Sequence, residues 1–186
     1  MTIPIIATIL RALWLMAEKT HAARHKFTPL KNRDRGSLKI FMAATLAVPA
    51  GVIVGFTKVG HIQTEGNVLG IVGIALMLTG TLIRWAAIYT LGQYFTRTVT
   101  ILPGHRIVRD GLYKHLRHPS YAGCLLGDLG LGLTLSNWLS VVIIFAPILA
   151  ALLYRIRIEE QALLESFGDK YFEYAQGTKR LIPKVY

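Results

Sequence analysis

A single cysteine among 186 residues, Cys124, excludes an intrachain disulfide, and no Cys/His spacing suits a structural zinc site. In its apolar surroundings that cysteine reads as a small buried hydrophobe. Charge is also scarce: charged residues are only 17% of the chain, and 10 acids stand against 21 Lys and Arg. No internal repeat and no low-complexity linker divides the sequence, so residues 1–186 read as one domain. The shortage of charge is matched by an excess of apolar residues, 53%, and a mean hydropathy of +0.45. That is more apolar than a soluble domain of this length needs, so a membrane class is tested first.

Apolar runs fall at residues 3–17, 38–56, 68–91 and 119–156. The run 38–56 covers about 28 Å at 1.5 Å per residue, close to the hydrocarbon thickness of a bilayer. Residues 119–156 are too long for one span and break at Ser136-Asn137, which predicts a tight hairpin. The run 3–17 is read as a tilted span, with an interfacial helix competing because of Arg11. No basic region precedes Ile3 and no small-residue cleavage pattern stands near Ala22, which argues against a signal peptide. The expected fold is all-α: a polytopic membrane helix bundle of about five transmembrane helices with a C-terminal cytoplasmic helix and tail.

Lys and Arg are distributed unevenly. Residues 19–39 hold seven, 92–118 hold five and 155–186 hold six, whereas 57–67 hold one. The positive-inside rule then places the N-terminus outside and the C-terminus in the cytoplasm. Basic loops beside anionic lipid account for the net charge of +11 without a nucleic-acid partner. The segment 18–39, with Pro29 and Gly36, is expected to be a cytoplasmic loop along the headgroups. Pro49 is expected to kink the span around it. Gly66, Gly70, Gly73 and Gly80 give the third run a face that permits close helix approach. Arg84, in the same run, either snorkels to the interface or meets a buried carboxylate, for which Asp128 is the candidate.

Beyond the hairpin, Ile158, Ala162, Leu163, Phe167 and Tyr171 recur at helical spacing, which predicts an amphipathic helix that continues the last span and bends at Gly168. Because the hairpin's ends are neighbours, Arg117 and His118 should approach Glu159 and Glu160, some forty residues later. From charge alone this is either a salt-bridge cluster that sets topology or a binding site.

The stretches HRIVRDGLYKHLRHPSYAG (105–123) and EEQALLESFGDKYFEYAQGTKRLIP (159–183), with the hairpin between them, resemble the isoprenylcysteine carboxyl methyltransferase family of integral membrane enzymes. The resemblance implies S-adenosylmethionine as methyl donor, no metal, and a cofactor-binding half at 105–183 that includes the hairpin 119–156. It implies cofactor-binding roles for His105, Tyr113, His118, Tyr121, Gly123, Glu160 and Tyr174. It also gives Arg117 the acceptor carboxylate to hold, with Glu159 bracing it. Tyr171 and Tyr174 either meet the adenine or anchor the tail, and Gly123 either admits the cofactor or packs a helix. The compact length resembles prokaryotic members and suggests a prokaryotic cell membrane. The expected acceptor is a small or lipophilic carboxylate. Alternatives are a phospholipid amine or thiol acceptor, a nicotinamide-dependent reductase on a related core, and a non-enzymatic membrane structural protein. Oligomeric state is not readable from the pattern.

Overall fold

The computed structural model of the protein describes residues 2–24, 31–63, 66–183 and 185–186. It is an all-α, multi-spanning bundle: α1 (Thr2–Arg24), α2 (Ser37–Ala44), α3 (Ala47–Gly55), α4 (Val68–Leu91), α5 (Pro119–Thr134), α6 (Trp138–Phe167) and α7 (Asp169–Gly177). Two short strands, β1 (Lys31–Asn32) and β2 (Thr100–Ile101), pair antiparallel with Lys31 opposite Ile101. Apolar side chains face outward as well as inward. Leu46 and Leu82 are each 71% exposed while Asp128 is fully buried, the distribution expected where lipid replaces water around the bundle.

Among the described residues, three helical stretches are long and apolar enough to cross a membrane: Ser37–Gly55, which joins α2 and α3, Val68–Tyr94, and Trp138–Phe167. The expectation of five is corrected to these three. With 16 residues, α5 spans only about 24 Å. Arg11, Glu18 and Lys19 dilute α1, which runs through Arg24, so the expected loop starts later than Glu18. The predicted kink at Pro49 is a break four residues earlier. Pro49 lies in the first turn of α3, where no amide donor is missed, and its ring would collide with the carbonyl of Thr45, where α2 ends.

The turn between α5 and α6 lies where Ser136-Asn137 predicts it. Ser136 takes a positive φ of 49°. Buried Asn137 caps α6 by accepting from the Ser140 amide at 3.1 Å, and its own amide donates to the Val59 carbonyl at 2.7 Å. The extended helix α6 ends at Gly168, φ 53°, and α7 folds back from there.

The helices α4 and α5 meet backbone to backbone. A Cβ added at Gly80 would sit 2.5 Å from the Gly123 carbonyl oxygen, and one at Gly130 would sit 2.5 Å from that of Gly73. Each helix thus brings two glycines seven residues apart to the shared face. Of the glycines the sequence singled out, Gly73 and Gly80 serve this contact, whereas Gly70 approaches Ile3 of α1.

Charges inside the bundle are paired, as a low-dielectric surrounding requires. Of the two readings of Arg84, the buried carboxylate partner holds, but the candidate Asp128 is not that partner. Asp128 receives Arg11 of α1, with Nε at 2.9 Å and Nη2 at 2.6 Å, and the Arg11 guanidinium lies 4.0 Å from the Trp14 ring centre. Arg84 instead pairs with Glu18 of α1, Nε to Oε2 at 2.9 Å, and donates through Nη1 to the Ser120 carbonyl and hydroxyl. Ala7, Arg11, Trp14 and Glu18, spaced four, three and four apart, are therefore the inward stripe of α1.

Two measurements test this packing. Thermal melts in detergent should show Gly130→Ala destabilised by about 1–3 kcal/mol through overpacking, while Gly177→Ala, with open space around it, stays close to wild type. Asp128→Leu should cost about 3–5 kcal/mol by stranding Arg11, and adding Arg11→Met should recover most of that loss.

Candidate active site

A cavity of about 150 Å³ opens between α4, α5, α6, α7 and the connection 95–108. Its position follows from the hairpin. Pro119 starts α5 at a point where no amide donor is required, so His118 becomes the N-cap residue and Arg117 sits just outside the helix. The return helix α6 runs past that point and presents Glu159 and Glu160.

Glu160 is the hub of the tail contacts. Its Oε1 accepts from Arg117 Nε at 2.8 Å and lies 3.3 Å from His118 Nε2, and its Oε2 accepts from Arg180 Nε at 2.9 Å. Arg117 Nη1 donates to the carbonyls of Ala175 at 2.6 Å and Thr178 at 2.5 Å. The Arg117 and His118 amides donate to the Lys179 and Arg180 carbonyls at 2.7 and 3.0 Å. The tail is thereby held against the start of α5, and α7 closes one side of the cavity.

Glu159 turns the other way. Its Oε2 accepts from the Tyr121 hydroxyl at 2.7 Å, and that hydroxyl accepts from Arg155 Nε at 2.9 Å. The expectation that Glu159 braces Arg117 is corrected: neighbouring residues on a helix point about 100° apart, and it is Glu160 that faces Arg117. The His118 and Tyr121 rings stack, 5.5 Å between centres and 3° from parallel.

His105 stacks on Tyr94 at 5.0 Å and meets the edge of Phe167 at 5.6 Å. Burial lowers its pKa, against the opposing pull of Glu159. Burial likewise raises Tyr113, and pushes Tyr174 up to about 12, so both hydroxyls stay protonated near neutral pH. Tyr174 donates to the Tyr113 carbonyl at 2.8 Å. Among the described residues, the buried His105 Nδ1 and Tyr171 hydroxyl have no hydrogen-bond partner. Two orphaned polar atoms on one cavity wall are what a polar ligand would satisfy.

Of the residues the sequence nominates, His105, Tyr113, Arg117, His118, Tyr121, Glu159 and Tyr174 line this cavity. Gly123 and Glu160 do not. A Cβ on Gly123 would meet the Gly80 carbonyl at 2.5 Å and the Arg84 amide nitrogen at 2.7 Å, so helix α4 fills the space reserved for a cofactor. Glu160 lies behind Arg117. The structure adds Glu18, Arg84 and Arg155 to the lining. Arg155 had a legible signal, a charge inside an apolar run one helical turn before Glu159.

The Isoprenylcysteine carboxyl methyltransferase (ICMT) family profile matches residues 72–165. Protein-S-isoprenylcysteine O-methyltransferase B of Arabidopsis thaliana is 34% identical over 115 residues, 61% of this chain and 58% of the relative. The Protein-S-isoprenylcysteine O-methyltransferase of Saccharomyces cerevisiae is 31% identical over 160 residues, 80% of this chain and 67% of the relative. A solved structure of the eukaryotic intramembrane Ras methyltransferase ICMT superposes with a TM-score of 0.57 at 30% identity, over 81% of this chain and 50% of that one. The chain thus spans about three-fifths of the plant relative and half of the solved chain.

The relatives found are eukaryotic, which corrects the expectation of a prokaryotic-type protein in a prokaryotic cell membrane and withdraws the orientation attached to it. Compact length was the ground for that expectation, and it does not discriminate: the same 115 residues make up nearly equal shares of this chain and of the plant relative. What stands is an integral membrane protein.

The lowered pKa of His105 has a consequence for stability. Its contribution is complete above the ordinary imidazole value near 6.5 and is lost as pH falls through the lower folded-state value. Melting temperatures of ligand-free protein between pH 7.5 and 5 should therefore fall more steeply for wild type than for His105→Phe.

Proposed function

Because the chain belongs to the isoprenylcysteine carboxyl methyltransferase family, we propose that it is an S-adenosylmethionine-dependent methyltransferase whose acceptor is the carboxylate of a lipophilic, isoprenylcysteine-like molecule. The observation that carries this reading is the mixed lining of the cavity. It includes the orphaned His105 Nδ1 and Tyr171 hydroxyl together with the apolar side chains of Leu38, Phe41 and Leu152. A polar nucleoside cofactor and an apolar acceptor tail both find matching side chains, with no metal needed for the transfer.

His105, Tyr94 and Tyr171 would hold the cofactor through ring stacking and through the two orphaned polar atoms. When bound, that cofactor supplies a methyl group already activated on a sulfonium, which a carboxylate oxygen accepts as an ester with no proton to remove. The chain's own residues therefore position and desolvate rather than exchange protons. Arg117 spends Nε on Glu160 and Nη1 on tail carbonyls, which directs Nη2 to the acceptor carboxylate while the same side chain keeps α7 closed. Arg84 and its partner Glu18 form a neutral ion pair on the cavity wall.

An amine acceptor is the second reading, favoured by the Glu159 carboxylate on the cavity wall. The two separate by product chemistry, since a methyl ester releases methanol in base and an N-methyl product does not.

Calorimetry on detergent-purified protein should show saturable S-adenosylmethionine binding, with nicotinamide dinucleotide phosphate failing to compete. With a farnesylated cysteine as acceptor, labelled methyl should appear in a base-labile product. Arg117→Lys should lower kcat/KM at least about 100-fold, because an ammonium lacks the fork that serves Glu160, the tail carbonyls and the acceptor together. Folded wild type without cofactor binding would end the methyltransferase reading.

A further inference from the structure

Arg155 lies inside α6, 4% exposed, and spends each nitrogen of its guanidinium on a different part of the fold. Nε donates to the Tyr121 hydroxyl of α5 at 2.9 Å. Nη1 donates to Asp34 Oδ1 and to Ser37 Oγ, both at 3.0 Å, at the turn entering α2. Nη2 donates to the Arg97 carbonyl in the connection after α4. Tyr121 passes the interaction on, because its hydroxyl donates to Glu159.

Asp34 completes the arrangement from the other side. It accepts from the Ser37 hydroxyl at 2.9 Å and from the Leu38 and Val99 amides at 3.0 and 3.2 Å. Burial would raise its pKa, but these donors and the Arg155 charge outweigh burial and lower it, so Asp34 is held ionised against Arg155. The Arg33 amide adds a bond to the Val99 carbonyl at 3.0 Å, beside the β1–β2 pair. Residues Phe95 to Ile101 are one wall of the cavity, and among the described residues they have no helix of their own. Their placement rests on the strand pair, on Asp34 and on Arg155.

We propose that Arg155 is a positioning residue for the transfer reaction: paired with Asp34, it fixes the cavity wall 95–101 and, through Tyr121, the orientation of Glu159. The relay runs from a turn that lies outside the family-matched stretch, through α6, into the site. A planar guanidinium reaches three directions at once, and an ammonium on a flexible stem does not. Effects on turnover rest on the methyltransferase reading, whereas effects on the wall do not.

The test uses the whole chain in detergent with Arg155→Met, Arg155→Lys, Asp34→Asn and the milder Ser37→Ala, each checked by melting temperature. Hydrogen exchange on ligand-free protein should show amides of 95–101 exchanging at least about tenfold faster in Arg155→Met and Asp34→Asn, with α4 amides unchanged. Turnover of the farnesylated cysteine should lose at least about 30-fold in kcat while its KM stays within about threefold, and Arg155→Lys should not restore it. Asp34→Asn combined with Arg155→Met should do no more damage than Arg155→Met alone. If Arg155→Met does not fold, Ser37→Ala should still speed exchange at 95–101 while leaving α4 protected. Unchanged exchange at 95–101, or full turnover in Arg155→Lys, overturns the proposal. If wild type fails to bind S-adenosylmethionine, the methyltransferase reading falls, and the exchange experiment alone decides whether Arg155 fixes the wall.

Discussion

One carboxylate near the end of α6 organises the functional half of the molecule. Glu160 takes hydrogen bonds from Arg117 and Arg180 and lies beside His118, so three basic groups from the α5 start and the chain's tail converge on it. Charged groups withdrawn from water are retained only where their partners are complete. Here completion requires the tail to lie against α5, which brings Tyr171 and Tyr174 to the cavity. Glu160 therefore shapes the site without lining it.

The same requirement orders the other end of the cavity. Arg11 and Glu18 on α1 meet Asp128 and Arg84, so the first helix is held to α5 and α4 by charge in a region where apolar contacts with lipid and with protein are nearly equivalent. Glycine does the complementary work. Because Gly73 and Gly80 lie against Gly130 and Gly123, α4 and α5 approach closely enough for Arg84 to reach the Ser120 carbonyl and hydroxyl.

Much of this was legible in the residues. The hairpin turn at Ser136-Asn137, the extension of α6 to Gly168 and the approach of Arg117–His118 to Glu159–Glu160 follow from run lengths and turn chemistry. Which glutamate faces Arg117 did not follow, because it depends on the rotation of α6 about its axis, and a single residue shifts the direction by about 100°. Gly123 illustrates the same limit from the other side, since a glycine that admits a ligand and one that admits a helix leave the same mark in a sequence. Among the described residues, seven of the nine nominated side chains meet at one cavity.

The sequence by itself determined the membrane class, the hairpin and the end of the molecule that carries the charged cluster. Hydropathy and turn signals act over neighbouring residues and hold whatever the packing around them. The partners of the buried charges were decided only by the tertiary structure. Asp128 meets Arg11 across 117 residues of chain, and Arg155 meets Asp34 across 121. Such pairs are chosen by where whole helices come to rest, since a buried charge takes whichever opposite charge the packing brings within hydrogen-bond reach.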